Sequence, residues 1–392
     1  QEILTPFSDN NLQADINAFR ALMKYIKQKD ENDQTVIMIQ VENEIGMLPS
    51  ARDYHPDATK AFNQQVPAPL IQYLRQNKNT LAPSVLEAWK KEGFKTNGTW
   101  EQIFGKGLAT DEIFMAWNFA GFTNKVAEEG KKIYALPMFV NAALNRPHVK
   151  PGDYPSGGPL PHIMDIWKAG APAIDFLSPD FYNPDFKYWS DLYTTEDNPL
   201  FIPEIRFEPS VAAKAFYAVG HYHALGFSPF SIESTDTPEH EPIGKSYKIM
   251  SQLIPLISAH QGKKTLDGSL LDKEFPVDTI KFSEYTFTIK HDYTLGWSPN
   301  AKDDQWPQSA GLVIQTAPDE FIVAGTGIVI TFSSDQTDKG RVGILNIEEG
   351  VYIDGKWAPG RTMNGDQSHQ GRHLRIAAGD FGIQKLKLYR YK

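Results

Sequence analysis

Thr35-Val-Ile-Met-Ile-Gln-Val-Glu-Asn-Glu-Ile-Gly46 decides how the rest of this chain is read. Residues 35–41 are too few and too rich in β-branched side chains for a helix, and their almost unbroken apolar character predicts a strand buried on both faces. Glu42, Asn43 and Glu44 follow where burial should end. In parallel α/β architectures, catalytic groups sit at the carboxyl ends of strands. A single glutamate there can equally be a residue that solvates a strand terminus. A second strand-end carboxylate, Glu204 in Asn198-Pro-Leu-Phe-Ile-Pro-Glu-Ile-Arg206, favours the catalytic alternative.

Between these two strands the pattern alternates. A helix capped by Ser8 or Asp9 should bury Leu12, Ile16, Phe19, Met23 and Ile26 at spacings of three and four. Strands are expected at 35–41, 133–142, 173–182, 199–206 and 226–234, with helices at about 112–129, 209–223 and 244–260. Helical pieces at about 61–75 and 83–91 form an insertion longer than a simple connection requires. Beyond residue 262 the texture changes to short β-rich runs punctuated by Gly, Pro and Asp, which predicts an all-β sandwich. The expected strands there are 282–290, 311–316, 321–324, 327–332, 341–348, 351–353 and 374–377. The division is therefore 1–262, an α/β catalytic domain, and 263–392, the sandwich.

Composition narrows the function classes. The chain has 392 residues, 41% hydrophobic and 22% charged, with a formal charge of -9. That charge disfavours nucleic acid and anionic membrane surfaces as principal partners, since both select basic patches, whereas a neutral sugar is compatible. Zero cysteines exclude disulfides and thiolate chemistry. No apolar stretch approaches the roughly 18–20 residues of a membrane span, and no signal segment is visible at residues 1–7. Eight tryptophans and sixteen tyrosines suit sugar stacking, although aromatic cores use most such residues. Oligomeric state is left open by the sequence.

Two carboxylates at one end of one sheet match the needs of glycoside hydrolysis. One carboxyl protonates the departing oxygen while the other attacks the anomeric carbon or activates water. A neighbouring ionised carboxylate and partial burial are the usual means by which such an acid keeps its proton near neutral pH.

Gln40-Val-Glu-Asn-Glu-Ile-Gly46 resembles the Gln-Val-Glu-Asn-Glu-Tyr-Gly signature of glycoside hydrolase family 35, the β-galactosidases, which are (β/α)8 TIM barrels of the retaining-glycosidase clan. The resemblance extends to the strand ending in Glu204 and to the β-rich tail. It implies a retaining exo-β-galactosidase acting on terminal β-galactosides of oligo- or polysaccharides, with neither cofactor nor metal, in an exported bacterial protein. Glu44 would be the acid/base on the fourth barrel strand and Glu204 the nucleophile on the seventh. Asn43 would hydrogen-bond the sugar 2-hydroxyl, and Tyr182 the nucleophile. Ile45 stands where the family often has Tyr, so local sugar contacts differ there.

Asn141, which ends its own strand on the same face, is a further candidate for sugar contact. Glu42 should lie behind the acid, because successive strand residues alternate faces. Five strands fall short of eight. Either the sheet is open, or the first three strands of a barrel precede Gln1, as the resemblance favours. Two other functions stay open: a β-glycosidase of different sugar specificity, and a carbohydrate-binding protein without turnover. His221 and His223 lie in a predicted helix at a spacing that points them to different sides, and Glu233 is a third strand-end carboxylate with a structural role expected.

Overall fold

The computed structural model describes residues 3–146, 148–334 and 340–391. The chain forms two compact units, Gln1–Glu204 and Ile205–Lys392.

The first unit opens with α1 (Asp9–Asp30), capped by the Ser8 hydroxyl, which accepts the Asn11 N–H at 3.3 Å. Next comes β1 (Ile39–Gln40) and then a helical insertion: α2 (Pro56–Phe62), α3 (Ala68–Gln76), α4 (Pro83–Lys91) and α5 (Trp100–Phe104). The long α6 (Leu108–Lys131) leads to β2 (Met138–Ala143), α7 (Met164–Gly170), β3 (Phe176–Phe181), α8 (Phe186–Tyr193) and β4 (Ile202–Ile205). The helix expected over 61–75 is two helices, because Pro67 and Pro69 cannot supply the N–H groups that a continuous helix would need. Trp89 and Trp100 of the insertion are buried, the former donating to the Lys95 carbonyl at 2.7 Å.

The strands run in hydrogen-bonded order β1-β2-β3-β4, with β1, β2 and β3 parallel. Two side chains outside the ladder fix β4 in the same direction. Before β4, Asn198 takes the Leu177 N–H on its Oδ1 and returns its Nδ2 to the Leu177 carbonyl. At the far end Tyr182 reaches Glu204. Phe139, Phe176 and Phe201 pack as one aromatic cluster with centroids 4.8–5.8 Å apart.

The strand expected over 35–41, buried on both faces, is corrected by the structure. Only Ile39 and Gln40 join the ladder, and Ile37 is 65% exposed. The physical reason is position: β1 has a strand neighbour on one side only among the described residues, so nothing there covers its outer edge. The sheet is correspondingly open, not a closed barrel. The other strands keep their places but shorten, as where Pro137 delays β2 to Met138.

The second unit begins with α9 (Val211–Gly220), β5 (Phe227–Pro229) and α10 (Pro242–His260), followed by antiparallel strands. These are β6 (Leu266–Leu271), β7 (Val277–Phe282), β8 (Tyr285–His291), β9 (Ser309–Ala317), β10 (Glu320–Thr326), β11 (Ile328–Ser334), β12 (Arg341–Ile353), β13 (Lys356–Thr362), β14 (Leu374–Ile376) and β15 (Gly382–Tyr391). They form a six-stranded sheet, β13-β12-β15-β10-β9-β6, and a four-stranded one, β14-β11-β8-β7. Phe282, Phe287 and Phe321 centre the core, joined by leucine, isoleucine and valine from both sheets.

The sequence boundary at 262/263 marks the change from helix to antiparallel strand, whereas the compact units divide at 204/205. The cause is packing. Gly220 of α9 meets Gly268 of β6 so closely that a Cβ on either would lie 3.0–3.2 Å from the other's Cα, and Ser246 of α10 donates to the Ala212 carbonyl of α9 at 2.9 Å. Helices α9 and α10 thus pack with the sandwich strands. Within the sandwich, the strands expected at 341–348 and 351–353 are one, passing through a register shift at Gly350 where Trp357 and the Ala358 carbonyl leave no room for a side chain. Central β15, with its Lys385/Leu386/Lys387/Leu388 alternation, is not among the strands expected. No helix among the described residues is long and apolar enough to cross a membrane.

Candidate active site

After β1 the backbone turns sharply. Glu42 and Glu44 both adopt left-handed φ, 62° and 46°, on either side of exposed Asn43. For residues with a Cβ this costs about 1–2 kcal/mol each, so the surroundings must enforce it. Gln40 Nε2 donates at 3.1 Å to both the Glu42 carbonyl and Asn43 Oδ1. On the other side Met47 and Ser156 exchange backbone bonds of 2.7 and 3.0 Å. Gly46 must be glycine for this clamp to close, since a Cβ would lie 2.5 Å from Pro155. The strained turn delivers Glu44, half-buried, toward the ends of β2, β3 and β4.

Asn141 on β2 is the hub. Its Oδ1 accepts the Glu44 N–H at 2.9 Å, and its Nδ2 donates to Asn43 Oδ1 at 3.1 Å and to Asp180 Oδ2 at 2.7 Å. It is 1% exposed and both donors of its amide are used. The expectation of direct sugar contact by Asn141 is therefore replaced by a supporting place behind Asn43 and Glu44. Glu42 is half-buried on the turn past β1, and burial, followed by the charge of Asp15 on α1, raises its carboxyl above the ordinary value.

Asp180 was not foreseen. It is the fifth residue of β3 and 1% exposed, in a strand that is buried throughout. Its Oδ1 has no conventional donor, and its environment includes the carboxyls of both Glu204 and Glu44. Burial first, and then the charges of Glu204 and Glu44, push its carboxyl up to about 9, with a hydrogen bond to Glu44 adding to the effect. The physical resolution of two facing carboxyls is a proton on Asp180, donated toward Glu44. The signal available in the sequence was an acid inside Phe176-Leu-Ser-Pro-Asp-Phe181, where an unpaired charge would be prohibitive.

Glu204 is half-buried on β4 and accepts the Tyr182 hydroxyl at 2.7 Å on Oε2. Tyr182 itself is 41% exposed, and its phenol is raised by burial and by that carboxylate. The structure therefore brings together Asn43, Glu44, Asn141, Tyr182 and Glu204 at one end of the sheet, with Asp180 between the two glutamates electrostatically. This constellation offers a carboxylate braced by a phenol, a second carboxyl beside a held proton, and an exposed amide, Asn43, on the turn. The histidines set aside from the sequence have separate partners: His221 faces Asp267 at 2.9 Å, and His223 accepts the Gly262 N–H at 3.1 Å. No cluster of His, Cys, Asp and Glu suited to a metal occurs among the described residues.

A family model described as a domain of unknown function, DUF5597, matches residues 243–375, outside the strands that carry this site. No curated protein matches the chain. Among solved structures, a monomeric β-xylosidase from Caulobacter crescentus CB15 overlaps 88% of this chain and 78% of its own at 10% identity, with a TM-score of 0.29. An endogalactoceramidase overlaps 71% of this chain at 8% identity and a TM-score of 0.20, and this chain spans 54% of that protein's length. Overlaps of that size decide neither fold nor activity.

Proposed function

We propose that the unit carrying Glu44, Asp180 and Glu204 is the catalytic part of a retaining β-glycosidase that removes terminal β-galactosyl residues. The open parallel sheet is then read as part of a (β/α)8 barrel, in keeping with the resemblance of 40–46 to glycoside hydrolase family 35. One observation carries the proposal: Asn141 ties the Glu44 turn to the buried Asp180 carboxyl at the carboxyl ends of parallel strands, and Glu204 on a further strand of the sheet is braced by the Tyr182 hydroxyl.

In the first step a Glu204 oxygen bonds to the anomeric carbon as the glycosidic C–O bond breaks, and Glu44 gives its proton to the departing oxygen. In the second, Glu44 takes a proton from water as the water oxygen displaces Glu204 from that carbon. Tyr182 orients the nucleophile through its hydroxyl. Asn43, exposed on the strained turn, hydrogen-bonds the sugar 2-hydroxyl in this reading, a contact that strengthens as charge develops in the transition state. Asp180, neutral, adds no charge of its own to the site, and its proton can be shared with Glu44 once Glu44 has given up its own. Acid/base help of this kind contributes about 10²–10⁴ in rate.

The test is a panel of aryl β-glycosides, galactoside against glucoside, arabinoside and xyloside, with the anomeric form of the first product followed by NMR. Glu204→Ala should abolish turnover with the fold intact, and azide should restore a product of α configuration. Undiminished hydrolysis by that variant would remove Glu204 from the mechanism. Preference for another sugar would keep the mechanism and replace the galactosidase assignment, while binding without turnover of any glycoside would leave a lectin-like function.

A further inference from the structure

The second unit contains an open cleft of about 930 Å³ between α10 and the strands β12, β13 and β15, with β14 at its end. That is within the roughly 300–1,000 Å³ usual for small-molecule sites. Gln252 of α10 accepts the Tyr352 N–H of β12 at 3.0 Å, which holds the helix wall in place.

The lining does not match the rest of the chain. The protein is acidic, at -9, yet four cations, Lys245, Lys248, Arg361 and Arg375, face two carboxylates, Glu349 and Asp380, around the cleft. Arg361 is paired with Glu349 at 3.2 Å, and Arg375 grips Asp292 through two bonds of 2.5 and 3.1 Å. Lys245 and Lys248 lie one helical turn apart on one face of α10. Neither has a carboxylate partner among the described residues.

Two further groups limit what the lysines attract. Gln384 of β15 lines the cleft and is 2% exposed. Its Nε2 donates to the Arg375 carbonyl at 3.0 Å, but its Oε1 has no donor. An unpaired buried acceptor is destabilising, so a ligand that draws the Gln384 amide toward the cleft and brings a donor recovers that free energy. Phe381 adds an aromatic ring, with Lys245 Nζ 5.8 Å from its centroid.

We propose that this cleft binds a carboxylated sugar, a uronic acid unit of an acidic oligosaccharide. Its carboxylate is met by Lys245 and Lys248, a hydroxyl donates to Gln384 Oε1, and its apolar C–H face lies on Phe381. A bare inorganic anion would satisfy the lysines alone and leave the acceptor and the ring unused. The site is remote in sequence from Glu44 and Glu204 and does not depend on their chemistry.

The experiment titrates the full chain with tri-galacturonate, a neutral galactotriose and inorganic phosphate by calorimetry, at low and high salt. Tri-galacturonate should bind, weaken with salt, and bind about tenfold or more tightly than the neutral trisaccharide, the size expected of charge-assisted bonds. Lys245→Glu/Lys248→Glu should lose that advantage with an unchanged circular dichroism spectrum. Gln384→Leu should weaken the saccharide without altering its salt dependence. Equal binding of the neutral trisaccharide, phosphate matching tri-galacturonate, no binding at millimolar concentrations, or an unaffected double variant would each overturn the proposal. The readout is binding, so the result stands whatever the hydrolysis assays return.

Discussion

Replacing Asp180 by asparagine isolates the proton that the carboxyl cluster holds. The amide is nearly isosteric: its oxygen can accept Asn141 Nδ2 as Asp180 Oδ2 does at 2.7 Å, and its N–H can face Glu44 in place of the carboxyl proton. What disappears is titration. In the folded protein, burial and then the charges of Glu204 and Glu44 raise the Asp180 carboxyl from 3.8 to about 9. A raised folded value means that the native state keeps a proton the unfolded chain releases. The associated stability is fully present below pH about 4 and is lost as pH climbs toward about 9. Within that window the slope is about 1.4 kcal/mol per pH unit. From pH 6 to pH 8 the wild type should thus lose about 2 kcal/mol relative to Asp180→Asn, allowing for proton sharing within the cluster. Urea unfolding of both proteins at the two pH values, read on the transition that melts the parallel sheet, gives the double difference directly. Titrations outside the carboxyl cluster cancel. The same pH dependence in both proteins, or a variant several kcal/mol weaker at pH 6, would show that Asp180 is not held protonated.

Tyr182→Phe removes the hydroxyl bonded to Glu204 and keeps the ring; kcat for an activated galactoside should fall about 10- to 100-fold, with the melting temperature nearly unchanged because the ring is partly exposed. Asn141→Ala strips partners from the Glu44 N–H, Asn43 and Asp180 together, and should cost about 2–4 kcal/mol in chemical denaturation as well as turnover. In the sandwich, Asp292 is buried and accepts from Arg375 and the Ala378 N–H. Asp292→Ala should lower that unit's stability by about 2–4 kcal/mol, while Asp292→Asn should recover part of the loss.

Much of the site was legible because it is built from strand ends, and strand ends are local. The apolar run before Glu42, and the one before Glu204, place both acids without knowledge of any partner, and Tyr182 falls at the end of β3 by the same logic. The helices at 83–91 and 244–260 and the switch to antiparallel strands after 262 follow from periodicity and from proline and glycine in the same way. Less legible was everything set by neighbours. Ile37 looks like a core residue, yet it is exposed because, among the described residues, β1 has a strand neighbour on one side only. Helices α9 and α10 continue the α/β alternation in sequence but pack with the sandwich strands through Gly220, Gly268 and Ser246.

Asp180 and Asn141 show the same limit at the site itself. The amino-acid order determined that glutamates would stand at the ends of two strands. The tertiary structure alone decided that an amide 97 positions from Glu44 would hold its backbone, and that a third carboxyl would be buried within electrostatic reach of both glutamates. Strand periodicity depends on residues a few positions apart, and composition shows it. Protonation depends on desolvation and on charges brought from distant strands, and only the folded arrangement supplies those.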